Sequence, residues 1–372
     1  MQKHPLSLKI KKINMSKLKF IFSGGGTGGH IFPAIAIANA LKEKHPDAEF
    51  LFVGALGKME MEKVPMEGYQ IVGLPIAGLI RSFTLKNFVV LYKSIKSYFL
   101  SRKIIRDFKP NAVIGTGGFA SLPICYAAGK MNIPVFVWEG NGYAGLTNKI
   151  MSKTAKKIFC GFGEMDNYFK HGNWIHSGNP IRKEIAIKTD KNKACEYFNL
   201  DPNKPILFIT GGSLGARTLN ESIQIGLTQL SQNNIQLIWQ TGNHFQIPEN
   251  LPTGIWAQPF LREMNLAYSC ADVVIARSGA LSCSEIAAVG IPAILVPSAN
   301  VTDDHQTKNA QHVAKNGGAI LIPDKDAKAN LVSSAIALLK DPAKQQSMRN
   351  ALIETARPHA TQTIVEEIEK YL

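Results

Sequence analysis

Short apolar runs recur along the chain, and each of the clearest ends in glycine. Lys17 to Ser23 reads as a buried strand that runs into Gly24-Gly25-Gly26-Thr27-Gly28-Gly29-His30. A helix follows, with Pro33 near its first turn and apolar residues through Leu41. Glu49 to Gly54 is the next strand. Asn111 to Ile114 is another, ending in Gly115-Thr116-Gly117-Gly118 and a helical Phe119 to Lys130, and Ile133 to Trp138 is a strand again. After Gly178-Asn179-Pro180 the pattern restarts. Pro205 to Thr210 is a strand, Gly211-Gly212-Ser213-Leu214-Gly215 a loop, and Leu219 to Leu230 a helix. Strands at Ile235–Gln240, Val273–Ala276, Pro292–Pro297 and Ala319–Ile322 then alternate with helical segments, among them Ala280 to Val289, closed by Gly290 and Pro292. Strand, glycine loop and helix, repeated in both halves, predict an α/β protein of two doubly wound parallel-sheet domains facing a cleft.

Length agrees, since 372 residues at roughly 150 per domain allow two domains. The five cysteines are never closer than 13 residues and form no C-x-x-C pair. Zinc ribbons, redox dithiols and disulfide scaffolds are therefore not expected, and a reducing compartment fits. The uncharged stretch Pro110 to Gly129 is broken by four glycines and two prolines, which argues against a transmembrane helix. No signal-peptide core precedes Phe20.

Charge adds an asymmetry. Of the net +14, Met1 to Arg182 carries +15 and Lys183 to Leu372 carries −1. Gly68 to Arg106 holds seven bases (Arg81, Lys86, Lys93, Lys96, Arg102, Lys103 and Arg106), many apolar side chains and no acid. Such a stretch suits an anionic surface, or else is a solvated helix face. Residues 1–15 read as a basic tail outside the fold, with Met15 an alternative start.

The glycine loops offer backbone N–H groups and a helix N-terminus, a ready site for phosphate. Gly24, Gly26 and Gly29 satisfy G-x-G-x-x-G, but the second strand ends Val53-Gly54-Ala55 with no acid for a ribose, and no Gly-Lys-Ser/Thr follows any loop. Neither common nucleotide fingerprint is met. His30, behind the first loop, is placed to take a proton from a hydroxyl or donate to a phosphate, or else to cap its helix. Glu285 is placed to accept from ribose hydroxyls, although Ser282-Cys283-Ser284-Glu285 also spells a capping box.

Taken in order, these segments carry a resemblance. Gly25 to His30 with Pro33-Ala34, Gly140-Asn141 with Ala144 to Asn148, Gly178 to Arg182 and Gly211 to Arg217 resemble the MurG family. So do Arg277 to Ala280, Ser284 to Ala288 and His305 to Ala310, and the likeness runs from about Leu18 to the C-terminus. The family transfers N-acetylglucosamine from its UDP conjugate to undecaprenyl-pyrophosphoryl-N-acetylmuramoyl-pentapeptide. The resemblance implies a GT-B architecture: an acceptor domain over residues 16–180, a UDP-sugar domain over 181–356, and a last helix, 357–372, returning to the first domain. It implies that Ala280, Leu281, Ser282, Cys283, Ser284 and Glu285 hold uracil and ribose, with Leu261 near the uracil and Arg182 and Ser213 near the diphosphate. His305 and Gln306 then contact the donor sugar, Thr27, Gly28 and Gly29 close over the donor, and Asn141 sits on the acceptor side.

Inverting transfer needs a base for the acceptor 4-hydroxyl and a stabiliser for departing UDP. His30 is the expected base and Glu139 the reserve. Loop N–H groups, a helix N-terminus and Arg182 are expected to serve the diphosphate, with no cofactor and no Asp-x-Asp metal clamp. The expected partners are the sugar nucleotide, the polyprenyl acceptor, an anionic membrane surface at the cytoplasmic face, where the protein would lie peripherally, and a cell-wall synthesis complex; nucleic acid is not expected. Two departures stand out: the family's usual His-Glu-Gln-Asn is Trp138-Glu139-Gly140-Asn141 here, and its glutamine pair is His305-Gln306. Another GT-B enzyme, such as a lipid glycosyltransferase or a UDP-N-acetylglucosamine epimerase, is the alternative.

Overall fold

A computed structural model describes residues 17–78, 86–169, 173–187, 189–212, 214–299 and 304–372. The basic tail, Arg81 and Ser213 lie outside the described residues. The first sheet comprises β1 (Lys19–Ser23), β2 (Glu49–Ala55), β3 (Gln70–Leu74), β4 (Ala112–Gly115), β5 (Val135–Glu139), β6 (Lys157–Cys160) and β7 (Trp174–His176). Its spatial order is β3-β2-β1-β4-β5-β6-β7. The second comprises β8 (Ile206–Thr210), β9 (Gln236–Gln240), β10 (Ile255–Gln258), β11 (Val273–Ala276), β12 (Ala293–Leu295) and β13 (Ala319–Leu321), ordered β10-β9-β8-β11-β12-β13. Every pairing is parallel. The central strands β4, β5, β8, β9 and β11 are buried along their whole length, as strands covered on both faces must be.

Helices α1 (Gly28–Lys44), α2 (Glu60–Met66), α3 (Lys86–Phe108), α4 (Ser121–Lys130) and α5 (Leu146–Met151) flank the first sheet. After it come α6 (Lys183–Ala186), α7 (Lys191–Tyr197), α8 (Arg217–Gln232), α9 (Met264–Cys270), α10 (Ala280–Val289), α11 (His305–Lys315), α12 (Ala327–Leu339), α13 (Pro342–Thr355) and α14 (Ala360–Glu369). The chain's last helix does not stay with the second sheet. Ile364, Val365 and Ile368 of α14 enter the core built by Phe20, Phe22 and Phe136, each burial worth about 2 kcal/mol of transfer free energy. Glu369 pairs there with Lys44 of α1 and with His45, the residue that caps it.

Helix α3 shows the reverse of a buried face. Val90, Ser97, Ser101 and Ile105 point inward, while Phe88, Tyr92 and Phe99 are 69%, 66% and 61% exposed among Lys96, Arg102, Lys103 and Arg106. No helix among the described residues is long and apolar enough to cross a membrane.

One expectation about the cysteines is corrected. Cys195 and Cys270 form a disulfide pair, 5.2 Å between Cα atoms, because α7 and α9 pack side by side although 75 residues separate the two in sequence. Cys125, Cys160 and Cys283 are free and buried.

Candidate active site

In each sheet the strand order reverses beside a central strand, and ligands of open α/β sheets bind beyond the carboxyl ends there. In the first sheet Ser23 of β1 stands in register with Gly115 of β4, so the loops following them lie side by side. They interlock. A Cβ on Gly24 would lie 1.9 Å from the Thr116 hydroxyl, and one on Gly118, itself at φ +77°, 2.4 Å from the Gly25 carbonyl. Thr116 Oγ1 donates to the His30 carbonyl at 2.7 Å. Thr27 is the N-cap of α1, and the first turn, with Gly28 and Gly29, carries no acid to offset the positive end of the helix.

His30 sits in that first turn with its ring against Gly117 and Gly118. Its Nδ1 is 3.1 Å from the Gly25 carbonyl and 3.3 Å from Thr27 Oγ1. A carbonyl only accepts, so Nδ1 carries the proton and Nε2 keeps its lone pair. Burial lowers the imidazole pKa from its ordinary value, against the raising charges of Glu139 and Glu60, while His305 across the cleft lowers it further. The net shift favours the neutral ring.

Glu139, at the end of β5, is buried and saturated. Oε1 accepts from the backbone N–H and Nδ2 of Asn141 at 3.1 and 3.3 Å; Oε2 accepts from Gly145 N at 2.9 Å and Asn148 Nδ2 at 2.7 Å. Four donors on one carboxylate describe a loop organiser. Asn141 in turn accepts from Asn309 of α11, whose Oδ1 takes the Gly142 N–H at 2.9 Å, linking the two domains. Trp138 and Gly140 depend on each other: a Cβ on Gly140 would lie 2.3 Å from the indole of buried Trp138, so this ring leaves no room for a side chain two residues on.

The second domain supplies the opposite wall. Glu285 is 13% exposed, its Oε1 3.8 Å from Arg182 Nη2 and its Oε2 accepting from Tyr268 Oη at 3.3 Å. Burial raises its pKa, with Arg182 and Tyr268 pulling the other way. The capping-box reading is overturned: α10 starts at Ala280 behind an N-cap Gly279 that makes no side-chain cap, so Ser282 lies within the helix and Glu285 is free for another partner. Ser284 accepts from Asn179 Nδ2 at 2.9 Å, tying α10 to the Gly178-Asn179-Pro180 turn. Leu281, Ser282 and Ala280 are half-buried on the first turns of α10, whereas the Cys283 and Leu261 side chains lie within the core. Gln306 is held by Ser278, whose hydroxyl donates to its carbonyl at 2.8 Å, and by the Ser298 N–H, which donates to its Oε1 at 2.9 Å. His305 opens the same helix, α11.

An Asp-x-Asp triplet does occur, at Asp324-Lys325-Asp326, contrary to the expectation that the chain holds none. It forms a 3-10 turn in which Asp324 pairs with Arg277 and accepts from Thr218, so it serves the base of the β11 loop. Among the described residues no three His, Cys, Asp or Glu side chains gather as a metal site.

Sequence reasoning singled out neither Glu60 nor Tyr268 as site residues, and Asn148 and Asn309 only as parts of stretches. Glu60 looks from sequence like one of several acids on a short surface helix; only the loop packed over it reveals otherwise.

Residues 20–160 match the glycosyltransferase family 28 N-terminal domain and residues 206–364 its C-terminal domain. The UDP-N-acetylglucosamine–N-acetylmuramyl-(pentapeptide) pyrophosphoryl-undecaprenol N-acetylglucosamine transferase of Parabacteroides distasonis is 43% identical, covering 96% of this chain and 99% of that relative. The protein of the same description from Porphyromonas gingivalis is 45% identical over 95% of this chain and 96% of its own. Among solved structures, MurG of Acinetobacter baumannii superposes with a TM-score of 0.78 at 29% identity, covering 95% of this chain and 100% of that one.

Proposed function

The chain belongs to the MurG family of family-28 glycosyltransferases, and from that premise we infer that it transfers N-acetylglucosamine from UDP-N-acetylglucosamine to the 4-hydroxyl of undecaprenyl-pyrophosphoryl-N-acetylmuramoyl-pentapeptide in peptidoglycan synthesis. Identity above 40% over nearly the whole of both chains carries this reading. Its two domains adopt the GT-B arrangement, with a sheet of seven strands opposite one of six.

The division of labour within the cleft is our proposal. Residues 16–180 with 357–372 form the acceptor side, and 181–356 the donor side. His30 Nε2, neutral and unprotonated, takes the proton of the acceptor hydroxyl as its oxygen attacks the anomeric carbon and the bond to UDP breaks. Glu139 is better suited to shaping the loop of Asn141 than to accepting a proton, since four N–H donors already occupy it. The carboxylate of Glu285 accepts from the ribose hydroxyls, and the first turns of α10, from Ala280 to Ser284, line the nucleoside with the Leu261 backbone. Arg182 and the loop carrying Ser213 face the diphosphate, where an always-charged guanidinium and backbone N–H groups offset the charge that develops on UDP. His305 and Gln306 contact the sugar. Thr27, Gly28 and Gly29 close over the donor and present the positive end of α1 to phosphate oxygens.

Exposed Phe88, Tyr92 and Phe99 among the bases of α3 support peripheral attachment to the cytoplasmic leaflet, where the polyprenyl substrate lies. At about 1 kcal/mol per base near an anionic bilayer, several bases and the exposed aromatic rings together would hold a protein there reversibly.

The test is mass analysis of the lipid product. Incubation with UDP-N-acetylglucosamine and the lipid-linked muramoyl-pentapeptide should add one N-acetylhexosamine to the lipid and release UDP in equal amount. Epimerised free sugar nucleotide without a heavier lipid would contradict it.

A further inference from the structure

Glu60 begins α2, remote in sequence from every residue given a role above, yet its side chain is fully buried beneath the first glycine loop. Its two oxygens are divided: Oε2 accepts from Gly26 N and Oε1 from Ala55 N, each at 2.9 Å. The slot it fills is made by two missing side chains. A Cβ on Gly25 would lie 2.1 Å from Glu60 Oε1, and one on Gly54 of β2 2.5 Å from its Cγ. Gly26 holds φ +85°, a conformation that favours glycine, and its N–H donates into this carboxylate. The adjoining carbonyl, that of Gly25, is the one facing His30 Nδ1 at 3.1 Å. A chain of contacts thus runs from a buried carboxylate, through one peptide unit, to the tautomer of the histidine.

We propose that Glu60 is a positioning residue for the transfer reaction: by gripping the Gly26 N–H it sets the Gly25–Gly26 peptide so that the Gly25 carbonyl holds His30 with Nε2 free to accept the hydroxyl proton. The inference rests on His30 as proton acceptor. Glu60 also acts through space. Its negative charge favours the imidazolium that forms when His30 takes the proton, as does that of Glu139 from β5, while His305 from α11 opposes it. Burying a carboxylate is costly unless donors meet it, and here two backbone N–H groups do so while doing this second task.

Two substitutions separate geometry from charge. Glu60→Gln keeps the shape, removes the charge and turns an N–H donor toward a backbone N–H. Gly54→Ala keeps the charge and displaces the side chain. Steady-state transfer should show kcat reduced about tenfold or more in both, with the KM for UDP-N-acetylglucosamine within about twofold of wild type. The acid limb of the kcat–pH profile should move to lower pH in Glu60→Gln, because a charge that favoured imidazolium is gone, and move less in Gly54→Ala. Unchanged kcat and an unmoved acid limb in folded Glu60→Gln would overturn the inference. So would a fall in kcat matched by a rise in donor KM and a lower melting temperature with no movement of the limb, which marks a merely structural residue.

Should Glu60→Gln fail to fold, the nitrogen-15 histidine spectrum of the wild-type protein decides: His30 protonated at Nδ1 is expected, and His30 protonated at Nε2 would overturn it. His30→Ala separates the two levels. Wild-type kcat in His30→Ala sinks the proton-acceptor reading itself; a collapsed kcat in His30→Ala beside an unaffected Glu60→Gln sinks only the role of Glu60.

Discussion

The two glycine loops at the two switch points are built on the same plan and finished differently. Both follow a fully paired central strand, at Ser23 and at Thr210, and both lead into a long helix with no acid in its first turn. In the first domain the loop is propped from beneath by a buried carboxylate and carries a histidine in its first helical turn. In the second, the Thr210 hydroxyl accepts from Gly212 N at 3.2 Å and donates to Gln240 at 2.8 Å, so the prop is neutral and comes from the strand itself. The carboxylate on that side, Glu285, belongs to a different element, helix α10, and lies 3.8 Å from Arg182. On the proposed division of labour, one scaffold would serve a proton acceptor in one copy and a nucleotide cradle in the other, according to where its carboxylate is placed.

Substitutions can break the comparison at either end. The largest effect is expected from His30→Ala, which should lower kcat by about 10²–10⁴-fold while leaving the donor KM nearly unchanged, measured by transfer to the lipid-linked acceptor. Glu285→Ala should do the converse, raising the donor KM about tenfold to a hundredfold, the worth of a hydrogen bond to a charged group, with a smaller loss of kcat. Gly140→Gln with Trp138 retained overpacks the acceptor loop and should cost about 1–3 kcal/mol in denaturant unfolding, a cost relieved when Trp138→His accompanies it. Lys96→Glu on α3, with Arg102, Lys103 and Arg106 left unchanged, should weaken binding to anionic vesicles several-fold at low salt and hardly at all at high salt.

The smallest effect is a matter of pH. Because the His30 pKa lies below the ordinary imidazole value, the acid limb of kcat should fall below about pH 6.5, leaving the base fully competent at neutrality. Because the Glu285 pKa is raised, the donor KM should begin to climb as pH drops while an ordinary carboxylate would still be charged, and Glu285→Gln should abolish that climb.

Much of this frame is legible in the sequence, and the gaps have causes. The central strands are continuous apolar runs because both faces are covered, so their positions stand out to within a residue or two. The strands that pattern reading passes over are β3, β6, β7 and β10. Of these, β3, β7 and β10 are edge strands and β6 lies next to one. Exposed or half-buried positions break the edge runs: Gln70, Val72 and Gln258 face solvent, and β7 has three residues, all half-buried. The apparent capping box fails because helix α10 begins two residues earlier than its serine, once Ser278 turns inward to Gln306. His30 and Glu285 are legible because their residue types announce chemistry. Glu60 and Asn309 are not, because each acts on backbone from another part of the chain, and no local spacing encodes that. The Cys195–Cys270 pair is hidden for the same reason.

The most direct test of the divided cleft is steady-state transfer of radiolabelled N-acetylglucosamine to the lipid-linked acceptor by wild type, His30→Ala and Glu285→Ala side by side. The account predicts a split, with kcat lost in His30→Ala and donor KM raised in Glu285→Ala. A His30→Ala enzyme that turns over at the wild-type rate, or a Glu285→Ala enzyme with an unchanged donor KM, would contradict it.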